Sequence, residues 1–141
     1  MYYDRRMALI EWKSEFSLGV PQVDTEHREL IDLINRLHRV VRSREHDATI
    51  VDFLEELYAS AAKHFAHEEL MMQARGYTAY EEHHADHQRL LNEVTAMMFE
   101  HQEGVLNNVE VMTKRLYDWF CIHFKTHDAP LHRLVHSYIK L

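Results

Sequence analysis

The sequence predicts an all-α protein that folds as an up-down-up-down four-helix bundle with an N-terminal arm and a short C-terminal helix. Only 3 glycines and 2 prolines occur in 141 residues, which favours long, uninterrupted helices. Apolar residues recur in steps of three and four along four segments, the spacing that gives a helix one buried face. No segment shows the alternation typical of a half-buried strand.

The residues that break helices set the predicted boundaries. Pro21 suits the first turn of the first helix, and Gly76 suits the end of the second. Thr78 is predicted to cap the third helix, and Pro130 is predicted to end the fourth. The predicted helices cover 21–42, 48–75, 78–103 and 107–128, with a short last helix from about 130.

The length of the chain predicts one domain over 1–141, in which 1–20 form the arm. Residues 1–6 precede Met7, a plausible alternative start, and are predicted to be a tail without a structural role. We expect a monomer or a weak homo-oligomer.

Charge and hydropathy exclude several classes of partner. The net charge of −7 argues against nucleic acid and against an anionic membrane surface. No apolar run reaches the roughly 20 residues of a membrane-spanning helix. The N-terminus lacks the apolar segment of a secretory signal, and the single cysteine, Cys121, has no internal disulfide partner. A reducing cytoplasm is therefore the expected location.

Along each predicted helix, the apolar residues spaced three and four apart form a stripe on one face. Titratable side chains interrupt all four of these apolar stripes. These residues are His27, His64, Glu68, His83, His87 and His123. A lone histidine in such a stripe is more often hydrogen-bonded within the core than bound to a metal. In an up-down-up-down bundle, however, the starts of the first and third helices meet the ends of the second and fourth. All six side chains then converge on one layer of the core, which predicts a metal site because burying them unpaired costs several kcal/mol.

The donor chemistry narrows the choice of metal. Five imidazoles with one or two carboxylates exceed the needs of one ion, so two ions are predicted. The absence of thiolates argues against a structural zinc site, and imidazole with carboxylate suits iron, with zinc and manganese as alternatives. Carboxylate-rich di-iron proteins carry a Glu-x-x-His motif on each of two helices, and that pattern is missing here. An imidazole-rich site gives oxidised iron less charge compensation, which favours reversible oxygen binding over strong oxidation.

Four blocks of sequence resemble the hemerythrin family, in particular its bacterial single-domain members. The blocks are Trp12 to Leu30 with Val23-Asp24-Thr25-Glu26-His27, then His64-Phe65-Ala66-His67-Glu68-Glu69 with Met72, then His83-x-x-x-His87, and finally Trp119 to His123 with Asp128. The resemblance implies two non-heme iron ions joined by an oxo or hydroxo bridge, with dioxygen as the ligand.

The same resemblance implies a role for each ligand. One iron would be held by His83, His87 and His123. His27 and His64 would hold the other, which keeps an open coordination position. Glu68 and Asp128 would bridge the two ions.

Asp128 is a ligand that helical periodicity does not predict. It follows His123 by five residues, about 140° further round an ideal helix, whereas His127 at i+4 shares the face of His123. We favour Asp128, as the resemblance implies, because a carboxylate bridges two ions and a neutral imidazole does not.

The remaining candidate residues are predicted to pack in the core, to face solvent or to contact the ligands from outside. Leu30, Trp119 and Phe120 are predicted to pack in the core and to wall the oxygen pocket. Glu69 is predicted to be solvated, as is His132 on the surface of the last helix. Solvated positions or outer contacts to the ligands are expected for His67, His84 and His127, and surface or packing positions for His38, His46, His101 and His136.

The predicted function is oxygen storage, delivery or sensing by a binding protein that is not an enzyme. Two alternatives stay open at this point. One is a di-iron enzyme that acts on oxygen, peroxide or nitric oxide, and the other is a protein for iron storage or for the repair of iron centres.

Overall fold

The computed structural model describes residues 8–17, 19–43, 47–106 and 108–139. Its helices are α1 (Pro21–Arg42), α2 (Asp47–Ala74), α3 (Tyr80–Gln102), α4 (Val109–His123) and α5 (Ala129–Ile139). A 3-10 helix (Ser14–Phe16) precedes α1, and a π-helical turn (Phe124–Asp128) joins α4 to α5. No strand occurs in those ranges. The predicted tail at 1–6 and His46 lie outside the described residues.

The helices fall into two compact units. The α1/α4 unit contains the N-terminal arm, α1, α4, the π turn and α5. The α2/α3 unit contains the hairpin of α2 and α3. None of the described helices has both the length and the apolar character needed to cross a membrane.

The arm of the α1/α4 unit is fastened to α1 by a paired amide contact. The Ile10 backbone N–H donates to Oδ1 of Asn35 over 2.9 Å, and Nδ2 of Asn35 donates back to the Ile10 carbonyl over 2.8 Å. The Arg28 guanidinium lies over the Trp12 ring at 4.1 Å, a cation–π contact that adds to this attachment. The arm therefore has a defined place beside the helix that carries His27.

The α2/α3 hairpin turns through Gly76, which has a φ of 59°. The Tyr77 N–H donates to the Met72 carbonyl and the Gly76 N–H to the Gln73 carbonyl, which together make a Schellman cap. The prediction that Thr78 caps α3 is wrong. Ala79 holds the cap position without a side-chain bond, because Thr78 lies inside the turn closed by the Tyr80 N–H on the Tyr77 carbonyl.

Two further boundaries come from Asn108 and Pro130. Asn108 caps α4, since its Oδ1 accepts from the backbone N–H groups of Glu110 and Val111. The prediction that Pro130 ends the fourth helix is wrong, because the helical path continues through the π turn into α5. Pro130 lies in the first turn of α5, where the missing N–H of proline is tolerated.

Most of the residues that the steps of three and four place on the inner helix faces are buried. The same steps predict Met71 on the inner face of α2, but Met71 is half-buried and its neighbour Met72 is fully buried. They also predict Thr126 as an inner residue, but Thr126 is exposed, because the π turn shifts the register after His123. The fully buried stripe residues include Ile34, Leu37, Leu54, Leu57, Ala61, Val94, Met97 and Leu116.

Candidate metal centre

The α2/α3 unit gathers four of the predicted ligands. His64 and Glu68 lie one turn apart on α2, and His83 and His87 lie one turn apart on α3. The i,i+4 spacing puts each pair on one helix face, and that face is buried in both helices. Sequence spacing therefore predicted the local arrangement of these four side chains correctly.

All three imidazoles of this cluster face a single carboxylate oxygen. Oε1 of Glu68 lies 3.4 Å from Nε2 of His64, 3.7 Å from Nε2 of His83 and 3.2 Å from Nε2 of His87. Glu68, His83 and His87 each offer one ligand atom, and these atoms lie within 4.8 Å of one another. The side chains of all four residues are at most 2% exposed, and imidazole and carboxylate are donors that suit a divalent or trivalent cation.

The α1/α4 unit gathers the other three predicted ligands. Oδ1 of Asp128 lies 2.8 Å from Nε2 of His123, and Oδ2 of Asp128 lies 3.3 Å from Nε2 of His27. All three side chains are buried. The two oxygens of one carboxylate thus face two different imidazoles, as a carboxylate that bridges two cations requires.

The π turn explains why Asp128 reaches this cluster. In the π turn the Ala129 N–H bonds to the Phe124 carbonyl, five residues back, so the turn holds one more residue than an α-helical turn. The extra residue carries Asp128 round to the face of His123. His127, which regular helix geometry favoured, is half-buried, and its ring stacks on His123 with centroids 5.3 Å apart.

Aromatic rings pack against the buried imidazoles in both units. Phe120 and Phe124 meet the His27 ring edge-to-face, with centroids 5.9 and 5.6 Å away. Phe65 stacks parallel to His87 with centroids 4.0 Å apart. Leu30 and Trp119, predicted with Phe120 to wall an oxygen pocket, are buried. These rings keep water away from the donor atoms.

Two predictions about the surrounding residues are wrong. His132 is fully buried, because α5 turns it inward, and its ring lies edge-to-face with His27 at 6.2 Å. Burial lowers the pKa of His132 below its usual 6.5. The nearby carboxylates of Asp128 and Asp24 raise this pKa, but by less than burial lowers it. Glu69 is not freely solvated, since its carboxylate binds the ring nitrogens of His84 and His87.

The other histidines take outer or distant positions. His67 and His84 are half-buried beside the ligands, and His84 is in contact with the ligand cluster through Glu69. His38 is buried on α1, and Nδ1 of His101 lies 3.2 Å from the Leu106 carbonyl oxygen. The side chain of His136 lies outside the described part of the chain.

Comparison with known proteins identifies the class of domain. A family model described as the hemerythrin HHE cation binding domain matches residues 18–135. A bacteriohemerythrin of Pseudomonas aeruginosa is 29% identical over 125 residues, which cover 87% of this chain and 79% of that protein. Hemerythrin subunit 1 of Golfingia vulgaris is 30% identical over 117 residues, which cover 83% of this chain and 85% of that protein.

Solved structures agree with these sequence relatives. A crystal structure of wild-type hemerythrin matches with a TM-score of 0.79 and 26% identity, over 89% of this chain and 97% of that chain. A hemerythrin point mutant matches with a TM-score of 0.80 and 26% identity, over 90% of this chain and 97% of that chain. The predicted all-α, four-helix-bundle fold with a short C-terminal helix is confirmed by this similarity and by the helices described above.

Proposed function

The chain belongs to the hemerythrin family, and we propose that its two donor clusters together hold two iron ions at which it binds dioxygen reversibly. The family membership makes the protein a non-heme iron, oxygen-binding protein. The number of irons and the role of each ligand are the finer parts of the proposal.

One observation carries the proposal: all five imidazoles and both carboxylates predicted as ligands are buried. In the proposed assignment His83, His87 and His123 would hold one iron, and His27 and His64 would hold the other. Glu68 and Asp128 would serve both ions.

The contacts within each unit support the bridging roles. Each oxygen of Asp128 faces a different imidazole, one from each proposed iron's ligand set. Oε1 of Glu68 faces His64 from one set and His83 and His87 from the other. A carboxylate with partners in both sets is placed to neutralise charge on both ions.

The donor chemistry supports oxygen binding as the activity. Iron held by these residues would supply the electrons that dioxygen takes up reversibly. Five neutral imidazoles and only two carboxylates would bind the ions. Because only the carboxylates offset the positive charge of the ions, the site would do little to stabilise strongly oxidised iron. The relatives named above are hemerythrins, and we retain a binding function over an enzymatic one for this chain.

The apolar wall is proposed to control what reaches the irons. Phe120 packs on His27, a ligand of the iron with the open position, and Leu30 lies one turn along α1 from His27. With the buried Trp119, they would admit dioxygen and exclude water. Physiologically we propose oxygen storage, delivery or sensing. A monomer or weak homo-oligomer and a cytoplasmic location stay predictions.

An optical titration tests the proposal. The iron-loaded, reduced protein is exposed to air and then to vacuum, and its visible charge-transfer absorption is recorded at each step. The number of irons per chain is measured separately by elemental analysis. We expect two irons per chain and absorption that appears and disappears reversibly, with both lost in His123→Ala. One zinc without iron would refute the di-iron assignment, and irreversible oxidation with release of peroxide would favour an enzyme.

A further inference from the structure

The carboxylate of Glu69 joins a proposed iron ligand to the protein surface. Oε2 of Glu69 accepts a hydrogen bond from Nδ1–H of His87 over 3.0 Å. Oε1 accepts from Nδ1–H of His84 over 2.5 Å. His87 is fully buried, the Glu69 side chain is 18% exposed and the His84 side chain is 38% exposed, so the three groups run from the core outward.

We infer that Glu69 is a positioning residue that fixes the tautomer and the ring orientation of His87 for metal binding. The inference rests on the proposed function, in which Nε2 of His87 is an iron ligand. It assigns a role to the second glutamate of the Glu68-Glu69 pair that is separate from the bridging role of the first.

The tautomer follows from the chemistry of the two groups. An ionised carboxylate only accepts hydrogen bonds, so Nδ1 of His87, which meets Glu69 in hydrogen-bond geometry, carries a hydrogen. In the neutral imidazole, the form that binds a metal, this is the one N–H, and Nε2 keeps its lone pair. Nε2 is the atom that faces Oε1 of Glu68 at 3.2 Å, on the side of the donor cluster. A carboxylate behind a ligating imidazole also raises its basicity toward the metal.

The orientation of the His87 ring is fixed in two directions. Phe65 stacks on its face with an interplanar angle of 8° and centroids 4.0 Å apart, which prevents the ring from tilting. The bond to Glu69 prevents rotation of the ring about its χ2 axis. With both contacts the lone pair of Nε2 points at the cluster before any metal arrives, which lowers the entropy cost of binding.

His84 in turn holds Glu69 in place from the outside. Its ring stacks on Tyr80 with centroids 5.6 Å apart and an interplanar angle of 13°, and Nε2 of Gln73 donates to the Tyr80 hydroxyl over 3.0 Å. Loss of His84 should leave the bond between Glu69 and His87 in place, because the two histidines bind different oxygens of Glu69. We therefore expect a graded series in which the Glu69 variant is strongly affected and the His84 variant weakly.

The first test uses the unaltered, metal-free protein. Long-range proton–nitrogen correlation spectra at pH 8 report whether each ring nitrogen of His87 carries a hydrogen. We expect a hydrogen on Nδ1. A hydrogen on Nε2 with none on Nδ1 overturns the inference, and this result depends on no variant folding and no metal binding.

The second test measures the affinity for Co²⁺ in competition with a chromophoric chelator. The amide of Glu69→Gln can donate to Nδ1 of His87 and so favour the wrong tautomer, and we expect affinity to fall by about 10–100-fold. His84→Ala should cause a smaller loss. Glu82→Gln, which removes the same charge from an exposed position on α3, is the matched control and should bind like the parent protein.

The outcomes separate this inference from the function on which it rests. Equal Co²⁺ affinity for Glu69→Gln and Glu82→Gln, with the His87 tautomer unchanged, overturns the positioning role. A parent protein that binds no Co²⁺ counts against the proposed metal centre, while the tautomer measurement still decides the role of Glu69. If Glu69→Gln does not fold, the parent protein's spectrum decides alone.

Discussion

The two units of the molecule present their metal donors by different means. In the α2/α3 unit, four proposed ligands lie at i,i+4 spacing on regular helices, and the three imidazoles among them face one carboxylate oxygen of Glu68. In the α1/α4 unit, the carboxylate of Asp128 reaches His123 and His27 only because a π turn interrupts the helical register. Regular helices suffice when both ligands of a pair come from one helix face, and an irregular turn is needed when the spacing is five.

The π turn of the α1/α4 unit also affects the stability of the backbone. π-helical turns are rare and are frequently found at functional sites. Their rarity indicates a cost in backbone stability, which the buried contacts of Asp128 and a bound metal would offset. The α2/α3 unit bears no such cost at its ligands.

The largest expected effect comes from removing either of the two carboxylates proposed to bridge the irons. Asp128→Asn and Glu68→Gln should both lose the stable iron pair, because each removes a charge that is proposed to serve both ions. Elemental analysis and visible absorption after iron loading measure the loss. If Asp128→Asn kept a full complement of iron while Glu68→Gln did not, the π turn would have no role in metal binding.

Removing iron from the parent protein should have the next largest effect. Metal that binds only the folded state adds about 2.7 kcal/mol at 100 times its dissociation constant, a rise in melting temperature on the order of 10 °C. Hydrogen exchange should show where the stability is lost. Amides of the π turn (Phe124–Asp128) should exchange fastest in the metal-free form, ahead of those around His64 and His87. Equal protection and melting in the two forms would mean that these side chains are satisfied without metal.

A smaller, pH-dependent effect is expected at His132. Because burial lowers its pKa in the folded protein, the unfolded chain takes up a proton at a higher pH than the folded one. The neutral imidazole's contribution to stability is complete above the unfolded pKa of about 6.5 and is lost as the pH falls from there toward the folded value.

The variant His132→Gln should lack this component. Between pH 7.5 and 5.5 the free energy of unfolding of the metal-free parent should fall more steeply than that of His132→Gln, by at most about 1.4 kcal/mol per pH unit. Urea unfolding at a series of pH values measures both slopes. Parallel slopes would show that His132 titrates alike in the folded and unfolded states.

The smallest effect is expected at His127. Its ring stacks on His123 but lies off the donor cluster, so His127→Ala should keep its iron and its oxygen spectrum and lose about 0.5–1.5 kcal/mol of packing. Chemical denaturation and visible absorption check the two parts. Loss of iron here, with Asp128→Asn unaffected, would reverse the assignment of the bridging ligand.

The helices and the local arrangement of two ligand pairs could be predicted from the sequence alone. The steps of three and four predicted the four long helices, and Gly76 marked the end of α2. The pairs His64/Glu68 and His83/His87 were predicted to share a face because 3.6 residues per turn brings i and i+4 together whatever lies nearby. These are local consequences of helix geometry, and local geometry needs no tertiary information.

The tertiary structure decided what regular geometry could not. The π turn brings Asp128 to His123, and no spacing rule predicts an inserted residue; only the family resemblance pointed to Asp128. Thr78 and Pro130 were misjudged because a turn bond and a continuing helix overrode their local preferences. His132 and Glu69 were predicted to face water because nothing in the sequence around them indicates a partner. Each finds its surroundings in another helix, His132 beside His27 of α1 and Glu69 between two histidines of α3. Burial and hydrogen-bond partners depend on which helices meet, and that is fixed by packing across the fold.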